Sequence, residues 1–351
     1  MVCWPCWRSM GANRNAAWSA GIGVALWLGG GDTAAGITAQ SGALPTAISP
    51  AATPAPAAEA AVPARPTSTA IPATLVLATP VTLPVTPTSE ATPEPVITEA
   101  TEAAIQSLVT LSAGGRPINS YRLGNGATAV VVVGGIHGGY EWNSILLVER
   151  LLAHYESHPG QIPAVVTLHI IPNANPDGLF AVTGSDGPFT AADFPTADPT
   201  AYLLGRFNAN GVDLNRNWDC NWTTDALWRN QAVPGGSSPF SEPETRGLRD
   251  FLQAIDPAIV IFYHSAANAV YVSGCPLPHA ASRDLALVYG LAAGYAVEEA
   301  FDHYVITGDA GDWLTTQGIA SFTVELASHE SLDWKQNLAG LQTLLSHFVD
   351  N

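Results

Sequence analysis

The sequence predicts an α/β domain with a mainly parallel, mixed sheet covered by helices on both faces. Short apolar runs, such as the four valines at 130–133, alternate with segments whose apolar residues recur at helical spacing. This alternation is typical of crossover units, which bury a parallel sheet on both sides. Residues 104–351 are numerous enough for one such domain with a sizeable core.

The first 103 residues predict export rather than a folded domain. Arg8 and Arg14 precede an uncharged apolar stretch, so we assign residues 1–39 to a signal peptide or an uncleaved signal anchor. Residues 40–103 are rich in Ala, Pro and Thr, which predicts a disordered, extended linker. The protein is therefore expected to be secreted or extracytoplasmic, with cell-surface association through its N-terminal segment if the signal is uncleaved.

Composition excludes some partners. The formal net charge is −17 with only 13 Lys and Arg, so we expect no nucleic-acid partner, because nothing supplies a phosphate-binding patch. We expect a monomer. Two cysteines, Cys220 and Cys275, follow the predicted signal. An even pair in an exported domain indicates one disulfide, and two buried free thiols are the alternative.

The predicted elements begin with a hairpin over 108–112 and 118–123. The valine run is the first central strand, and a helix over 144–157 follows it. The next strand, 165–171, ends at Asn175-Pro176-Asp177-Gly178, where proline and Asp-Gly predict a tight turn that ends regular structure. The region from there to about residue 239 is expected to be one long loop, and a loop of that length is usually functional.

The second half repeats the strand and helix pattern. A capping box, Ser241-Glu242-Pro243-Glu244, predicts that a helix begins at Ser241 and ends near residue 255. Further strands and helices are predicted, in chain order, at 258–263, 282–295, 321–324 and 338–349.

Ionisable residues follow three of the predicted strands. His137 follows the valine run, His264 follows the strand at 258–263 and Glu325 follows the strand at 321–324. The carboxyl ends of parallel strands meet at one edge of a sheet, so these groups are expected to converge. Glu141 lies four residues after His137, on the same face of a helical turn.

Two imidazoles and a carboxylate suit Zn²⁺. Three protein ligands leave the fourth position open to water, as in catalytic zinc sites. A second carboxylate beside that water can take its proton. The ordered motifs extend over most of residues 104–351: Gly135-Ile136-His137, Glu141-Trp142, Asn175-Pro176-Asp177-Gly178, Gly211-Val212-Asp213-Leu214-Asn215-Arg216-Asn217-Trp218, His264-Ser265 and Thr323-Val324-Glu325-Leu326.

This ordered set resembles the zinc metallocarboxypeptidases of the carboxypeptidase A type. The resemblance implies that family's fold, a peptide substrate with a free C-terminal carboxylate, and one zinc ion held by His137, Glu141 and His264. It implies these further roles: Glu325 as general base, Arg206 as stabiliser of the oxyanion, Asn215 and Arg216 as the carboxylate-binding pair, and Tyr304 as the substrate-capping tyrosine. The seven other histidines match no motif position and are expected to be surface or core residues.

One departure concerns the first motif. The family separates its His and Glu by two residues, whereas here Gly138, Gly139 and Tyr140 intervene. Because positions i+3 and i+4 of a helical turn share a face with position i, we expect Glu141 still to reach the metal.

Substrate preference is predicted at the loop after Tyr304. The resemblance places the residue seven positions later at the base of the specificity pocket, and here it is Gly311. Asp309 is the nearest acid that could point inward, while Asp312 matches a position that the family fills for structural reasons. A buried carboxylate favours a cationic partner, so Asp309 predicts substrates ending in Lys, Arg or diaminopimelate. The alternative is that Asp309 faces solvent and the pocket is merely roomy.

The function expected from these observations is an exported zinc carboxypeptidase that hydrolyses the C-terminal peptide bond of peptides or of cell-wall stem peptides. One alternative is a zinc amidase that deacylates N-acyl amino acids, as aspartoacylase-like enzymes do. Another is a non-catalytic surface-binding module. The spacing of Tyr304, Gly308 and Asp312-Trp313 favours the peptidase, and the carboxylate of Glu325 argues against a dead site.

Overall fold

The structure, a computed structural model, describes residues 103–350, without the side chain of Asp350. The predicted signal and nearly all of the predicted linker lie outside the described residues. The strands are β1 (Ile105–Leu111), β2 (Pro117–Leu123), β3 (Thr128–Val133), β4 (Val166–Ile171), β5 (Asp225–Trp228), β6 (Gln231–Pro234), β7 (Ile259–Ser265), β8 (Ala269–Val272), β9 (Ala296–Glu298) and β10 (Ala320–Leu326). The helices are α1 (Trp142–Ser157), α2 (Pro176–Thr183), α3 (Pro243–Ile255), α4 (Ala280–Ala293), α5 (Ala310–Thr316) and α6 (Trp334–Asp350).

Eight strands form one mixed sheet in the order β1-β2-β4-β3-β7-β10-β8-β9. The four central strands β4, β3, β7 and β10 are parallel, and β8 is parallel to β9. Pairing is antiparallel at β1–β2, β2–β4 and β10–β8. The predicted fold class is therefore confirmed.

The valines of β3 show why both faces of the sheet need a cover. Successive side chains of a strand point to opposite faces. Val130 and Val132 accordingly pack in one core cluster with residues of α1, α4 and α6, while Val131 and Val133 pack in another with residues of α3 and α5. All four are at most 1% exposed, and burying each contributes about 1.5–3 kcal/mol.

Two local predictions are wrong. Pro176 begins α2 instead of ending regular structure, because the side chain of Asn175 caps the helix by accepting the Gly178 N–H at 2.9 Å. Proline fits the first helical position, where no N–H is needed. The predicted capping box is absent: α3 begins at Pro243 after Glu242, which makes no side-chain cap, and the Ser241 hydroxyl accepts from Asn217 Nδ2 instead.

The region expected to be one long loop holds more structure than its composition indicates. It contains α2, several short 3-10 turns, and the antiparallel hairpin of β5 and β6. Strands β8 and β9 and helix α5 are likewise absent from the sequence-based prediction. Cys220 and Cys275 form the expected disulfide. Within residues 103–350, no helix has both the length and the apolar character needed to cross a membrane.

Candidate active site

The turn after β3 places the first two candidate ligands. Gly135 and Gly138 adopt positive φ values of 65° and 44°, which glycine tolerates, and a Cβ at Gly138 would lie 2.6 Å from the backbone oxygen of Gly205. A 3-10 turn then extends over Gly138–Glu141 and leads directly into α1. The additional residue between His137 and Glu141 is accommodated in this turn, and both side chains are buried on the same side.

His137, Glu141 and His264 are brought together, as the motifs predict. Glu141 Oε1 lies 2.8 Å from His137 Nδ1, Glu141 Oε2 lies 3.0 Å from His264 Nδ1, and the two Nδ1 atoms are 3.2 Å apart. Tetrahedral zinc with bonds of about 2.0–2.2 Å holds its ligand atoms about 3.3 Å apart. The three side chains therefore fit zinc in both donor chemistry and spacing.

The charges around Glu141 favour its ionised carboxylate, which is the form that binds a metal ion. Burial alone would raise the pKa of Glu141, but the neighbouring imidazoles outweigh it and hold the pKa well below its ordinary value. Burial acts in the opposite direction on His264, and the carboxylate of Glu141 raises the pKa of that imidazole. A divalent cation can take the place of the protons that a buried carboxylate and two imidazoles share.

Asp213 supports the far side of His137. Its Oδ1 lies 3.4 Å from His137 Nε2, an atom that is buried and has no hydrogen-bond partner in the described part of the chain. Metal-bound histidines commonly direct their second ring nitrogen at a carboxylate, which fixes the ring orientation. Burial would raise the pKa of Asp213, but Arg206 and His137 hold it well below its ordinary range.

Arg206 joins this group from the short helix over Pro199–Arg206. Its Nε and Nη2 lie 2.8 Å and 2.7 Å from Asp213 Oδ2, and its Nη1 lies 4.0 Å from Glu141 Oε1. The guanidinium is therefore fixed beside the candidate zinc ligands. This is the neighbourhood in which an oxyanion-stabilising group is needed.

Glu325 lies on the strand next to His264. The two residues are paired in the parallel register of β10 and β7. Glu325 Oε2 is buried and has no hydrogen-bond partner within residues 103–350. Burial raises the pKa of Glu325 to about 7; the negative charge of Glu141 adds to the rise, while His264 opposes it. A carboxylate with a free, buried oxygen is suited to exchanging a proton with a bound molecule.

A cavity of about 480 Å³ opens beside these groups, and its lining includes His137, His264, Glu325, Asn215 and Arg216. The Arg216 guanidinium is held by backbone carbonyls: Nε donates to Leu227 O at 2.9 Å and Nη1 donates to Asn215 O at 2.7 Å. Among the described residues, no carboxylate lies within 4.0 Å of this guanidinium, although Arg216 is only 1% exposed. The cavity therefore presents a fixed and unpaired cation.

Tyr304 and two acids line the same cavity. Burial raises the pKa of Tyr304, so its phenol stays protonated and can donate a hydrogen bond. Asp309 caps α5 by accepting the Asp312 N–H at 3.0 Å, and its other oxygen accepts Asn215 Nδ2 at 2.7 Å. Burial raises the pKa of Asp312 to about 7, and the negative charge of Asp309 contributes.

Gly311 lies behind groups that line the cavity. A Cβ at this position would meet the Ser273 hydroxyl at 2.4 Å and Asp309 Oδ1 at 3.3 Å, and both of these residues line the cavity. That Gly311 forms the base of the specificity pocket stays a prediction.

A group of aromatic residues beside the candidate ligands is absent from the motif-based prediction. Tyr140 packs edge-on against Trp228 of β5 at 5.4 Å between ring centroids, and against His329 at 4.9 Å. His329 Nδ1 also lies 3.2 Å from the Ser265 hydroxyl. The sequence places His329 among surface or core histidines, because it matches no motif. Its position four residues after Glu325 is the one sequence feature that connects His329 with the site.

Comparison with known proteins agrees with the motif-based resemblance. The family model for zinc carboxypeptidases, peptidase family M14, matches residues 98–342. A zinc carboxypeptidase of Simulium vittatum is 28% identical over 216 residues, which cover 55% of this chain and 67% of that protein. The rat carboxypeptidase N catalytic chain is 31% identical over 151 residues, 39% of this chain, and the match spans only 31% of the rat chain.

Two further similarities involve a shorter match and a structure. Murein peptide amidase A of Escherichia coli K12 is 38% identical over 78 residues, 19% of this chain and 32% of that protein. The structure of bovine thrombin-activatable fibrinolysis inhibitor, in complex with tick carboxypeptidase inhibitor, shares the fold with a TM-score of 0.57 and 19% identity, covering 71% of this chain and 92% of that one. Because the family model matches well over half of the chain, this protein belongs to the zinc carboxypeptidase family of metallopeptidases.

Proposed function

We propose that this protein is an exported, zinc-dependent carboxypeptidase that hydrolyses the C-terminal peptide bond of its substrates and binds one zinc ion. The observation that carries the proposal is the guanidinium of Arg216, which is buried, has no carboxylate within 4.0 Å among residues 103–350, and lines the same cavity as His137 and His264. A fixed cation without a carboxylate of its own is a receptor for an anion, and a planar guanidinium pairs bidentately with a carboxylate.

Substrate binding follows from this receptor. The terminal carboxylate would pair with Arg216, and Asn215 would donate to it through the amide hydrogen that does not bond Asp309. Tyr304, which stays protonated, would donate a hydrogen bond to the bound peptide. The scissile bond would then lie between the receptor and the zinc ligands, so that only the last residue of a peptide is removed.

The proton steps are assigned to Glu325. Bound zinc would polarise the scissile carbonyl and lower the pKa of a water molecule. Glu325 Oε2 has no hydrogen-bond partner among the described residues, so it is available to take the proton of the attacking water and to pass it to the leaving amine. Arg206, fixed by Asp213, would stabilise the negative charge that develops on the carbonyl oxygen.

Two substrate classes fit this proposal. Unmodified peptides are the first, as the similarity to the carboxypeptidase N chains supports. Cell-wall stem peptides are the second, and the similarity to a murein peptide amidase favours them. A zinc amidase acting on N-acyl amino acids would also use Arg216, but it needs no capping tyrosine. A non-catalytic module would need neither Glu325 nor its free oxygen.

The proposal is tested by blocking the C-terminus of the substrate. We expect a dipeptide with a free C-terminal carboxylate to be cleaved with a kcat/KM about 10- to 100-fold above that of its C-terminal amide, because hydrogen bonds to charged groups contribute about 1.5–3 kcal/mol. The Arg216→Gln variant should lose this preference. Arg246→Gln is the matched control, since Arg246 also donates to backbone carbonyls but is exposed. Equal rates on acid and amide would contradict the proposal.

We further propose that the cavity favours a cationic C-terminal residue. Asp309 and Asp312 both line it, and burial together with the negative charge of Asp309 raises the pKa of Asp312, so that a cation beside these acids is favoured. Lys, Arg or diaminopimelate would supply that compensation. We expect about a tenfold or greater preference in kcat/KM over Leu and Phe, because a buried charge without a partner is costly.

Asn substitutions test this preference with little disturbance of α5, because Asn also caps helices. Asp312→Asn and Asp309→Asn should each reduce the preference for Lys, Arg and diaminopimelate, whereas Asp250→Asn on the surface of α3 should not. A tenfold preference for Phe or Leu that neither cavity substitution changes would rule out acid-directed selection.

A further inference from the structure

A cation at the tip of the β5–β6 hairpin has no role in the proposed function. Trp228 pairs with Gln231, so Arg229 and Asn230 form a two-residue turn, in which Arg229 has φ 56°. Positive φ is uncommon for a residue with a side chain, and glycine or asparagine is the usual choice at such a position. The hairpin therefore carries an arginine where the backbone alone would favour a different residue.

The hairpin is fixed to the active site. Leu227 O accepts from Arg216 Nε, so β5 helps to hold the carboxylate receptor. The guanidinium carbon of Arg206 lies 4.7 Å from the ring centroid of Trp228, and that of Arg229 lies 5.0 Å from it. The same Trp228 ring therefore contacts both Arg229 and Arg206, and Arg206 lies beside the candidate zinc ligands.

Arg229 is unpaired in a strongly acidic protein. The chain has a formal net charge of −17, and the guanidiniums of Arg116, Arg206, Arg249 and Arg283 each lie within 4.0 Å of a carboxylate. No carboxylate of residues 103–350 lies that close to Arg229, whose contact in this part of the chain is the Trp228 ring. Its charge extends to the rings around it: burial lowers the pKa of His329 and Arg229 adds to that shift, while burial raises the pKa of Tyr140 and Arg229 opposes it.

These residues lie outside the cavity that contains Arg216. Tyr140, Trp228, Arg229 and His329 are absent from the cavity lining, yet Tyr140 directly precedes Glu141. When the last residue of a peptide fills the cavity, the part that precedes the scissile bond must leave on another side of the zinc ligands. Outside the cavity, Tyr140 adjoins Glu141, and Trp228 stacks on Arg206, which lies 4.0 Å from Glu141.

We propose that Arg229, with Trp228, Tyr140 and His329, forms a subsite for an acidic side chain in the acyl part of the substrate, the part that precedes the scissile bond. This inference rests on the proposed carboxypeptidase function. Arg229 supplies the charge, Trp228 holds the guanidinium in place by stacking, and the half-buried His329 ring is supported from behind by the buried Tyr140 ring. Peptides with Glu or Asp before the cleaved residue are thus the preferred substrates.

The test uses two blocked dipeptides that share a C-terminal residue and differ in having Glu or Gln before it. We expect kcat/KM to favour Glu by about three- to fivefold at low salt, the range of an exposed ion pair, and the preference to fade at high salt. Arg229→Gln should bring the ratio to one, and Arg229→Lys should restore part of it. Arg249→Gln is the matched control, since Arg249 also stacks on an aromatic ring but lies on α3.

A wild-type ratio of one, or a ratio that Arg229→Gln leaves unchanged, would overturn the subsite. Cleavage of the Gln peptide reports the carboxypeptidase function separately. If neither peptide is cleaved, that function is wrong, and the affinities of the two intact peptides for the zinc-loaded protein then decide the subsite. Tighter binding of the Glu peptide by the same factor supports it, and equal Kd values overturn it.

Discussion

Replacing Glu325 with Gln is expected to lower turnover by about 10² to 10⁴ while zinc stays bound, because a general base commonly contributes that much to the rate. Gln keeps the size of the side chain but cannot take a proton. Glu325 is not one of the three clustered ligands, so its loss leaves the metal-binding atoms in place. We expect kcat to fall much more than KM rises, since the interaction lost belongs to the transition state.

The control for this variant is Glu244→Gln. Glu244 is fully buried and burial likewise raises its pKa, but it accepts hydrogen bonds from Ala113 and Asn208 away from the cavity. This substitution should leave turnover within a fewfold of the wild type. A loss below tenfold in Glu325→Gln, at unchanged zinc content, would show that another group performs the proton transfer.

Removing the His264 imidazole is expected to abolish both zinc binding and turnover. His264 Nδ1 lies within 3.2 Å of both other ligand side chains, so the His264→Ala variant keeps only two of the three donors. Two protein donors do not make the three-ligand set of a catalytic zinc site. Metal content by elemental analysis and kcat on a blocked dipeptide check this outcome.

His169→Ala separates loss of the metal from loss of the fold. His169 is buried on β4, which β3 separates from the strand of His264; burial lowers the pKa of its imidazole to about 4, and it packs against Phe251 rather than against the ligands. This variant should retain zinc even where its stability falls. Stoichiometric zinc and full turnover in His264→Ala would mean that the metal site lies elsewhere.

Much of the fold is predictable from the sequence because burial leaves a direct pattern. The valines of β3 are apolar at every position, which is what a strand covered on both faces requires. Elements set by capping are harder to predict. Pro176 begins α2 only because the Asn175 side chain supplies a hydrogen-bond acceptor, and a proline in that sequence is equally compatible with a turn.

The residues of the candidate site likewise divide into those that the sequence predicts and those that it does not. His137 follows β3, and His264 and Glu325 lie at the carboxyl ends of β7 and β10, so topology alone brings them to one edge of the sheet. Trp228, Arg229 and His329 come from a hairpin and a loop whose positions depend on long-range hydrogen bonds, such as those from Asn143 Nδ2 to Ser328 O and Ser331 O at 2.8 Å. No local pattern encodes such contacts, so sequence reasoning missed these residues.

That this protein is a zinc-dependent carboxypeptidase is tested most directly by two measurements on the purified protein. These are its zinc content and its hydrolysis of a blocked dipeptide that has a free C-terminus. We expect one zinc per chain, loss of turnover on chelation, and recovery when one equivalent of zinc is returned. Full turnover in protein stripped of zinc would contradict it, and so would stoichiometric zinc in a protein that cleaves no peptide with a free C-terminal carboxylate.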